Sequence, residues 1–131
     1  MGWQAVIAYL DTNVLIYMHR RDLDRLTKRA SEQLEDSELL ISGMVILELE
    51  MLYEKGRINY SGLKMLSDLN ERIVVSICQL PMAVVMQSAL GIKWTREPGD
   101  RIIVANAVAN NNAPLITSDR SINEHYTNAV W

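Results

Sequence analysis

The sequence lacks the features that define several common classes of protein. Its single cysteine, Cys78, excludes an internal disulfide and is compatible with a reducing compartment. No apolar run approaches the roughly 18 residues that a membrane-spanning helix needs, because charged or turn residues interrupt every run. No basic stretch precedes Val6, so we expect no signal peptide. Internal repeats and low-complexity segments are also absent. These absences predict a cytoplasmic protein.

Basic charge is also scarce, which restricts how the protein could bind nucleic acid. The formal net charge is −3, so bulk electrostatic attraction to a phosphate backbone is not expected. A nucleic-acid substrate would require bound metal ions or a local basic rim, for which the candidates are Arg57, Lys64, Lys93, Arg96, Arg101 and Arg120. An acidic surface would also suit a basic protein partner.

The sequence has the composition and patterning of an α/β domain. Its 131 residues are 49% hydrophobic and 22% charged, which predicts one globular domain over residues 1–131. The predicted strands are Ala5–Leu10, Leu39–Ile41, Ile73–Ile77 and Leu115–Thr117, with Asn128–Val130 as a candidate fifth. The predicted helices are Thr12–Met18, Leu23–Leu34 (with Asp22 as its cap), Met44–Lys55, Ser61–Glu71, Met82–Leu90 and Asp100–Asn110. Because strands alternate with helices, we expect a parallel sheet of four or five strands wrapped by helices.

Acidic residues follow two of the predicted strands. Asp11 comes directly after the first strand, and Asp119 lies just beyond the fourth. An open parallel sheet places its functional site outside the carboxyl ends of its strands, so both acids should lie at one edge. Together with Glu48 and Asp100 they would form a carboxylate cluster suited to a hard divalent cation such as Mg²⁺ or Mn²⁺. Such a cluster favours metal-dependent phosphodiester chemistry.

Helix capping is a simpler explanation for Asp11, Asp100 and Asp119, because aspartate is a common cap where a helix begins. Capping and cation binding are compatible, since both favour an anion at that position. Asp100 also shares a helix face with Ile103 and Val104, which would direct its side chain inward.

Glu48 cannot be explained by capping, because it lies in the middle of a predicted helix. At about 100° per residue, it falls among apolar positions that include Val45 and Leu49. Glu50 and Glu54 fall on the opposite flank, where solvated charges are expected. A carboxylate on an apolar face is costly unless it is paired or bound to metal. Glu48 is therefore the strongest individual indication of a functional cluster.

Four segments in sequence resemble the motifs of PIN-domain nucleases. They are Leu10–Leu15 around Asp11, Ser42 through Glu48, Glu97–Arg101 around Asp100, and Leu115–Arg120 around Asp119. The resemblance covers essentially the whole chain, and the chain length is similar to that of the VapC toxin ribonucleases. One departure is Gly99, where relatives usually have a bulky apolar residue.

The resemblance implies a PIN-like three-layer α/β/α fold and a metal-dependent endoribonuclease, the toxin of a toxin–antitoxin pair. The implied catalytic and metal-binding residues are Asp11, Glu48, Asp100 and Asp119, with Asn13 and Thr117 as hydrogen-bonding partners of the ligands. Asp11 and Asp100 are expected to be the principal ligands of Mg²⁺ or Mn²⁺. The implied partners are RNA, a second copy of the chain, and an antitoxin that blocks the site, often with an arginine.

Other α/β classes agree less well with the sequence. A phosphate-accepting receiver domain would need an acceptor Asp after the third strand and a Lys near the last, and both are missing. A haloacid-dehalogenase-like phosphatase would have a second Asp at position 13, where this sequence has Asn13. A dinucleotide-binding protein would have a glycine-rich turn after the first strand, where this sequence has Asp-Thr-Asn. A catalytically inactive PIN-like binding module and a housekeeping nuclease remain as alternatives.

Overall fold

Five parallel strands form the centre of the molecule in a computed structural model, which describes residues 6–131. The strands are β1 (Val6–Leu10), β2 (Ser37–Ile41), β3 (Val75–Ile77), β4 (Leu115–Ile116) and β5 (Ala129–Val130). Their order across the sheet is β3-β2-β1-β4-β5, and every neighbouring pair is parallel. The predicted parallel sheet is confirmed, although Ala5, the predicted start of β1, lies outside the described residues.

Helices cover both faces of the sheet, which gives the three-layer α/β/α arrangement. They are α1 (Thr12–His19), α2 (Lys28–Glu35), α3 (Gly43–Glu54), α4 (Gly62–Leu69), α5 (Met82–Leu90), α6 (Pro98–Ala109) and α7 (Arg120–His125). Helix α2 packs against β2, β4 and β5, while α3 contacts α1, α4 and α6, and α6 packs on α5. Within the described part of the chain, none of the helices has the length and apolar character needed to cross a membrane.

The central strand β1 becomes more deeply buried towards its carboxyl end. Val6 is exposed, whereas Ala8, Tyr9 and Leu10 have no solvent-accessible surface. A parallel sheet covered on both faces favours this continuous apolar sequence. Burial at the end of β1 means that the next side chain, Asp11, is held in a largely desolvated position.

The strand order creates a crevice between β1 and β4. From β1 the chain adds β2 and β3 on one side, and it then adds β4 and β5 on the other. The direction of winding therefore reverses at β1, where open α/β sheets bind ligands. The backbone N–H of Asp11 donates to the carbonyl of Ile116 at 3.0 Å, which aligns the ends of both strands at this crevice.

The prediction of one continuous helix over Leu23–Leu34 is wrong. The structure has a short 3₁₀ turn at Leu23–Arg25, an extended Leu26, and only then α2. Thr27 caps α2, because its Oγ1 accepts the backbone N–H three residues further on at 3.1 Å. Asp22 makes no capping hydrogen bond with its side chain and instead pairs with Arg25 at 3.2 Å. A strong N-cap inside the apolar pattern overrides the helical periodicity.

Candidate active site at the carboxyl edge of the sheet

Asp11 is fixed by hydrogen bonds to both of its carboxylate oxygens. Oδ1 accepts the backbone N–H of Thr12 at 2.8 Å, so Asp11 does cap α1. Oδ2 accepts the hydroxyl of Thr117 at 2.6 Å, which joins the ends of β1 and β4. The residue is only 7% exposed. Capping thus orients Asp11 and does not exclude cation binding, because each carboxylate oxygen retains a further lone pair.

Asp119 is positioned by the same threonine. Its backbone N–H donates to Thr117 Oγ1 at 3.0 Å, and its Oδ1 caps α7 by accepting the N–H of Ile122 at 2.9 Å. The hydroxyl of Thr117 therefore lies between Asp11 and Asp119 and contacts both residues. The predicted hydrogen bond from Thr117 to a site carboxylate is present in the geometry.

Glu48 reaches this group of residues from the middle of α3. Its Oε1 accepts the hydroxyl of Thr12 at 2.5 Å, a contact that sequence reasoning did not identify. Val45 and Leu49 on the same helix are fully buried, and Glu48 is half-buried beside them. The contact of Thr12 could have been predicted, because a residue directly after Asp11 lies at the same edge of the sheet and carries a hydroxyl group.

The face assignment for the other α3 acids needs one correction. Glu54 is exposed as predicted, but Glu50 is half-buried and not fully solvated. Helix α4 packs on α3 close to this position, with Gly62 against Ile46 and Leu49. An isolated helical projection cannot anticipate where a neighbouring helix will pack.

Asp100 lies in the first turn of α6, which begins two residues earlier than predicted. The N-cap is Glu97, whose Oε1 accepts the backbone N–H of Gly99 at 3.4 Å. Pro98 occupies the first helical position, where its missing N–H has no cost. Asp100 therefore is not the cap of α6, and this removes the simpler explanation for its position.

All four predicted acids line one cavity of about 280 Å³ at the carboxyl edge of the sheet. The other lining residues are Thr12, Asn13, Met51, Leu52 and Lys55. Asn13 is exposed at the cavity and, within residues 6–131, its side chain makes no hydrogen bond to these acids. Among the described residues, no three His, Cys, Asp or Glu side chains form a ready-made metal cluster.

Burial and mutual repulsion raise the pKa values of three of the carboxyl groups. Desolvation is the main reason why the pKa of Asp11 is raised, although its hydrogen bonds oppose the change. The pKa of Glu48 is raised by burial and by the charges of Asp11 and Glu97. Burial and then Asp119, followed by the other nearby acids, raise the pKa of Asp100 to about 6. A bound cation would relieve this repulsion.

The predicted basic rim is not found at the cavity. Arg101 donates to the carbonyl of Ala89 at the end of α5, while Lys64 and Arg120 pair with acids on their own helices. Among residues 6–131, the cation that lines the cavity is Lys55, which the sequence analysis did not identify. Its spacing was a usable signal, because Lys55 stands seven residues after Glu48 and so on the same helix face.

The fold and the cavity together define an α/β protein with a carboxylate site at the switch point of its sheet. The family model described as "PIN domain" matches residues 8–127. The chain therefore belongs to the PIN domain family. The match includes all four predicted acids.

Two solved structures are similar to this chain along nearly their whole length. One is VapBC2 from Rickettsia felis bound to a DNA fragment from its promoter, with 18% identity, a TM-score of 0.67, and coverage of 95% of this chain and 96% of that chain. The other is VapBC-1 from nontypeable Haemophilus influenzae, with 21% identity, a TM-score of 0.52, and coverage of 91% and 94%. At these identities the likeness establishes the fold. No curated protein sequence matches the chain significantly.

Proposed function

We propose that this chain is a divalent-metal-dependent endoribonuclease and the toxin of a toxin–antitoxin pair. PIN domains are generally nucleases, and the chain is a PIN domain over residues 8–127. The observation that carries the proposal is the convergence of Asp11, Glu48, Asp100 and Asp119 on one cavity at the switch point of the sheet. Burial and mutual repulsion make these carboxyl groups harder to ionise. Such an unfavourable arrangement is expected where a function, such as cation binding, requires it.

The donor set fits a hard divalent cation. Every acidic group at the cavity offers carboxylate oxygen, and within the described residues no histidine or cysteine lines it. Asp11 and Asp100 would hold Mg²⁺ or Mn²⁺, with Glu48 and Asp119 acting directly or through water. A bound ion of this kind supplies charge neutralisation at a phosphate and a water of lowered pKa.

Two threonine hydroxyls would keep the carboxylates in position. Thr117 donates to Asp11 at 2.6 Å, and Thr12 donates to Glu48 at 2.5 Å. Each hydroxyl proton is thus directed to an acid, which favours the ionised form and restricts its rotation. In this proposal Glu48 and Asp119 complete the coordination of the ion or orient the attacking water. Asn13 would contact the substrate or a ligand from the exposed side of the cavity.

Lys55 would bind the RNA backbone beside the acids. It lies two helical turns, about 10 Å, along α3 from Glu48 and lines the same cavity. A lysine ammonium binds phosphate as a point charge. A positive group at this place would attract a phosphate towards a cavity that is otherwise acidic, which answers the difficulty posed by the net charge of −3.

The partner proposal follows the similar structures. Both are named VapBC, and the chain resembles the VapC toxins in length and motif order. We therefore propose an antitoxin protein as the partner, a homodimer as the assembly and the cytoplasm as the location. Leu47 and Tyr53, both about half exposed on α3, are candidates for contact with a protein partner.

The proposal is tested by RNA cleavage with a matched pair of substitutions on one helix. Glu48→Gln should lower the rate about a hundredfold or more, because it removes a carboxylate that faces the cavity. Glu54→Gln, at an exposed position of the same helix, should keep the wild-type rate. The measurement is cleavage of a fluorescent RNA with Mg²⁺ or Mn²⁺ and with EDTA. Equal losses from both substitutions would contradict the site.

A non-enzymatic binding module is the competing proposal, and the same assay separates it. Such a module would bind RNA or protein without cleavage at any metal concentration. A housekeeping nuclease would cleave RNA but would not form a stable complex with an antitoxin.

A further inference from the structure

The absence of a side chain at Gly99 has a specific structural consequence. Gly99 is buried in the first turn of α6, and its backbone is in a conformation that any residue adopts. A Cβ placed there would overlap Oε2 of Glu48 and lie 3.2 Å from Glu48 Cδ. Glycine is a poor helix former, so its presence is not explained by local helix stability. What it provides is space for one carboxylate.

Glu48 uses that space to connect the two parts of the site. Its Oε1 is held by the hydroxyl of Thr12, directly after Asp11, at 2.5 Å. Its Oε2 packs on the backbone of Gly99, directly before Asp100. The Glu48 side chain is flexible at its far end, so a side chain at position 99 would displace the carboxylate and leave most of the core unchanged.

We propose that Gly99 is a positioning residue: by lacking a side chain, it lets the carboxylate of Glu48 lie between Thr12 and the first turn of α6. The structural part of this inference rests on the packing of Glu48 against Gly99. Its consequence for catalysis rests on the proposed nuclease function.

The first test is a stability cycle on metal-free protein with Gly99→Ala, Glu48→Ala and the double variant. Gly99→Ala alone should lower the melting temperature, because the methyl group displaces Glu48. In the Glu48→Ala background the same change should raise it, because the space is empty and alanine favours the helix. A single variant that fails to fold beside a double variant that folds would support the same conclusion. An equal effect of Gly99→Ala in both backgrounds would overturn it.

The second test measures the site itself. Gly99→Ala should lower RNA cleavage about a hundredfold, as expected for misplacement of a catalytic group, and should weaken the stabilisation by added Mn²⁺. Gly43→Ala is the matched control, because a Cβ at that helical glycine would contact nothing within 4 Å. Wild-type cleavage and Mn²⁺ response in Gly99→Ala would overturn the inference. If the wild type itself cleaves no RNA, the proposed function fails while the melts still decide whether Gly99 positions Glu48.

Discussion

At the scale of single residues, the acidic side chains serve local structure and the proposed chemistry at the same time. Asp11 and Asp119 each cap a helix and also line the cavity. Asp100 is different, because Glu97 supplies the cap of its helix. A substitution of Asp100 should therefore report on the electrostatics of the site with little disturbance of the helix end.

Asp100→Asn should stabilise the metal-free protein at pH 8. Burial, followed by repulsion from Asp119 and the other nearby acids, raises the pKa of Asp100 to about 6 from an ordinary value of 3.8. A carboxyl group with a raised pKa in the folded state binds more protons there than when unfolded, so its contribution to stability falls as pH rises from about 4 to 6. Asparagine does not ionise, so the variant should not lose this stability as the pH rises. We expect a melting temperature higher by a few degrees at pH 8, roughly 2–4 °C, and little difference at pH 4.

The same variant should respond less to metal. Thermal melts in EDTA and in excess Mn²⁺ measure the stabilisation that comes from binding to the native state. Asp100→Asn should show a smaller Mn²⁺ shift than the wild type. If the variant is less stable without metal and has a wild-type Mn²⁺ shift, Asp100 is a structural residue.

Lys55→Gln should weaken RNA binding and leave the chemical step nearly unchanged. Lys55 lines the cavity without belonging to the acidic cluster, so loss of its charge should raise KM more than it lowers kcat. Loss of one phosphate contact should also reduce the slope of log affinity against log salt by roughly 0.7 for single-stranded RNA. Lys93→Gln, at an exposed lysine outside the cavity lining, is the control. Equal salt slopes for both variants would remove Lys55 from the proposed binding surface.

At the scale of elements, α3 connects the site to the body of the protein. The helix ends where predicted, because Gly56 adopts a positive φ of 72° and donates to the carbonyl of Tyr53 at 3.0 Å. The next N–H, from Arg57, donates to Leu52 at 2.9 Å. These two bonds form a Schellman motif, which satisfies carbonyl groups at the helix end. The motif also fixes the backbone at Lys55, which immediately precedes Gly56 and lines the cavity.

Gly56→Ala should destabilise the protein by about 1–2 kcal/mol, because an L-residue is strained in the left-handed region. Gly91→Ala is the matched control at the end of α5. There φ is −83°, and an added Cβ would make only an ordinary contact with the carbonyl of Ser88 at 3.6 Å. Urea unfolding of both variants gives the comparison. A similar loss in both would mean that the conformation of Gly56 contributes little to stability.

At the scale of the whole molecule, strand order decides which residues meet. Asp11 and Thr117 are far apart in sequence. Parallel pairing of β1 with β4 nevertheless places Thr117 Oγ1 2.6 Å from Asp11 Oδ2. Helices α3 and α6 flank the sheet and pack against each other. They contribute Glu48 and Asp100 to the cavity. The complete cavity therefore depends on the native topology and not on any single segment.

Expression of the chain alone should slow the growth of a bacterial host if it is a toxin. Asp11→Asn should relieve the effect, because it removes a carboxylate proposed to bind metal while an amide oxygen can still cap α1. Co-expression with the small gene adjacent to it in its genome should restore growth and yield a stable complex. Growth curves and co-purification make the measurement. Normal growth without any complex would favour a housekeeping nuclease or an inactive module.

Local sequence patterns were enough to predict most elements of the fold. Alternation of apolar strands and amphipathic helices indicated the parallel sheet, and Gly56 marked a helix end correctly. The same patterns failed at Leu23–Leu34, where Thr27 starts a new helix inside an apolar repeat. Periodicity reports which face of a segment is apolar, but it does not report where capping interrupts the segment.

The sequence by itself determined the α/β class and the acids at the strand ends, because both depend on interactions between near neighbours in the chain. Only the tertiary structure decided the strand order, the Thr12–Glu48 hydrogen bond and the close packing of Glu48 on Gly99. It also decided that Lys55, and none of the predicted basic residues, lines the cavity. These features depend on how distant segments pack. The relevant distances are set by the sheet topology and by neighbouring helices, which local propensity and periodicity do not encode.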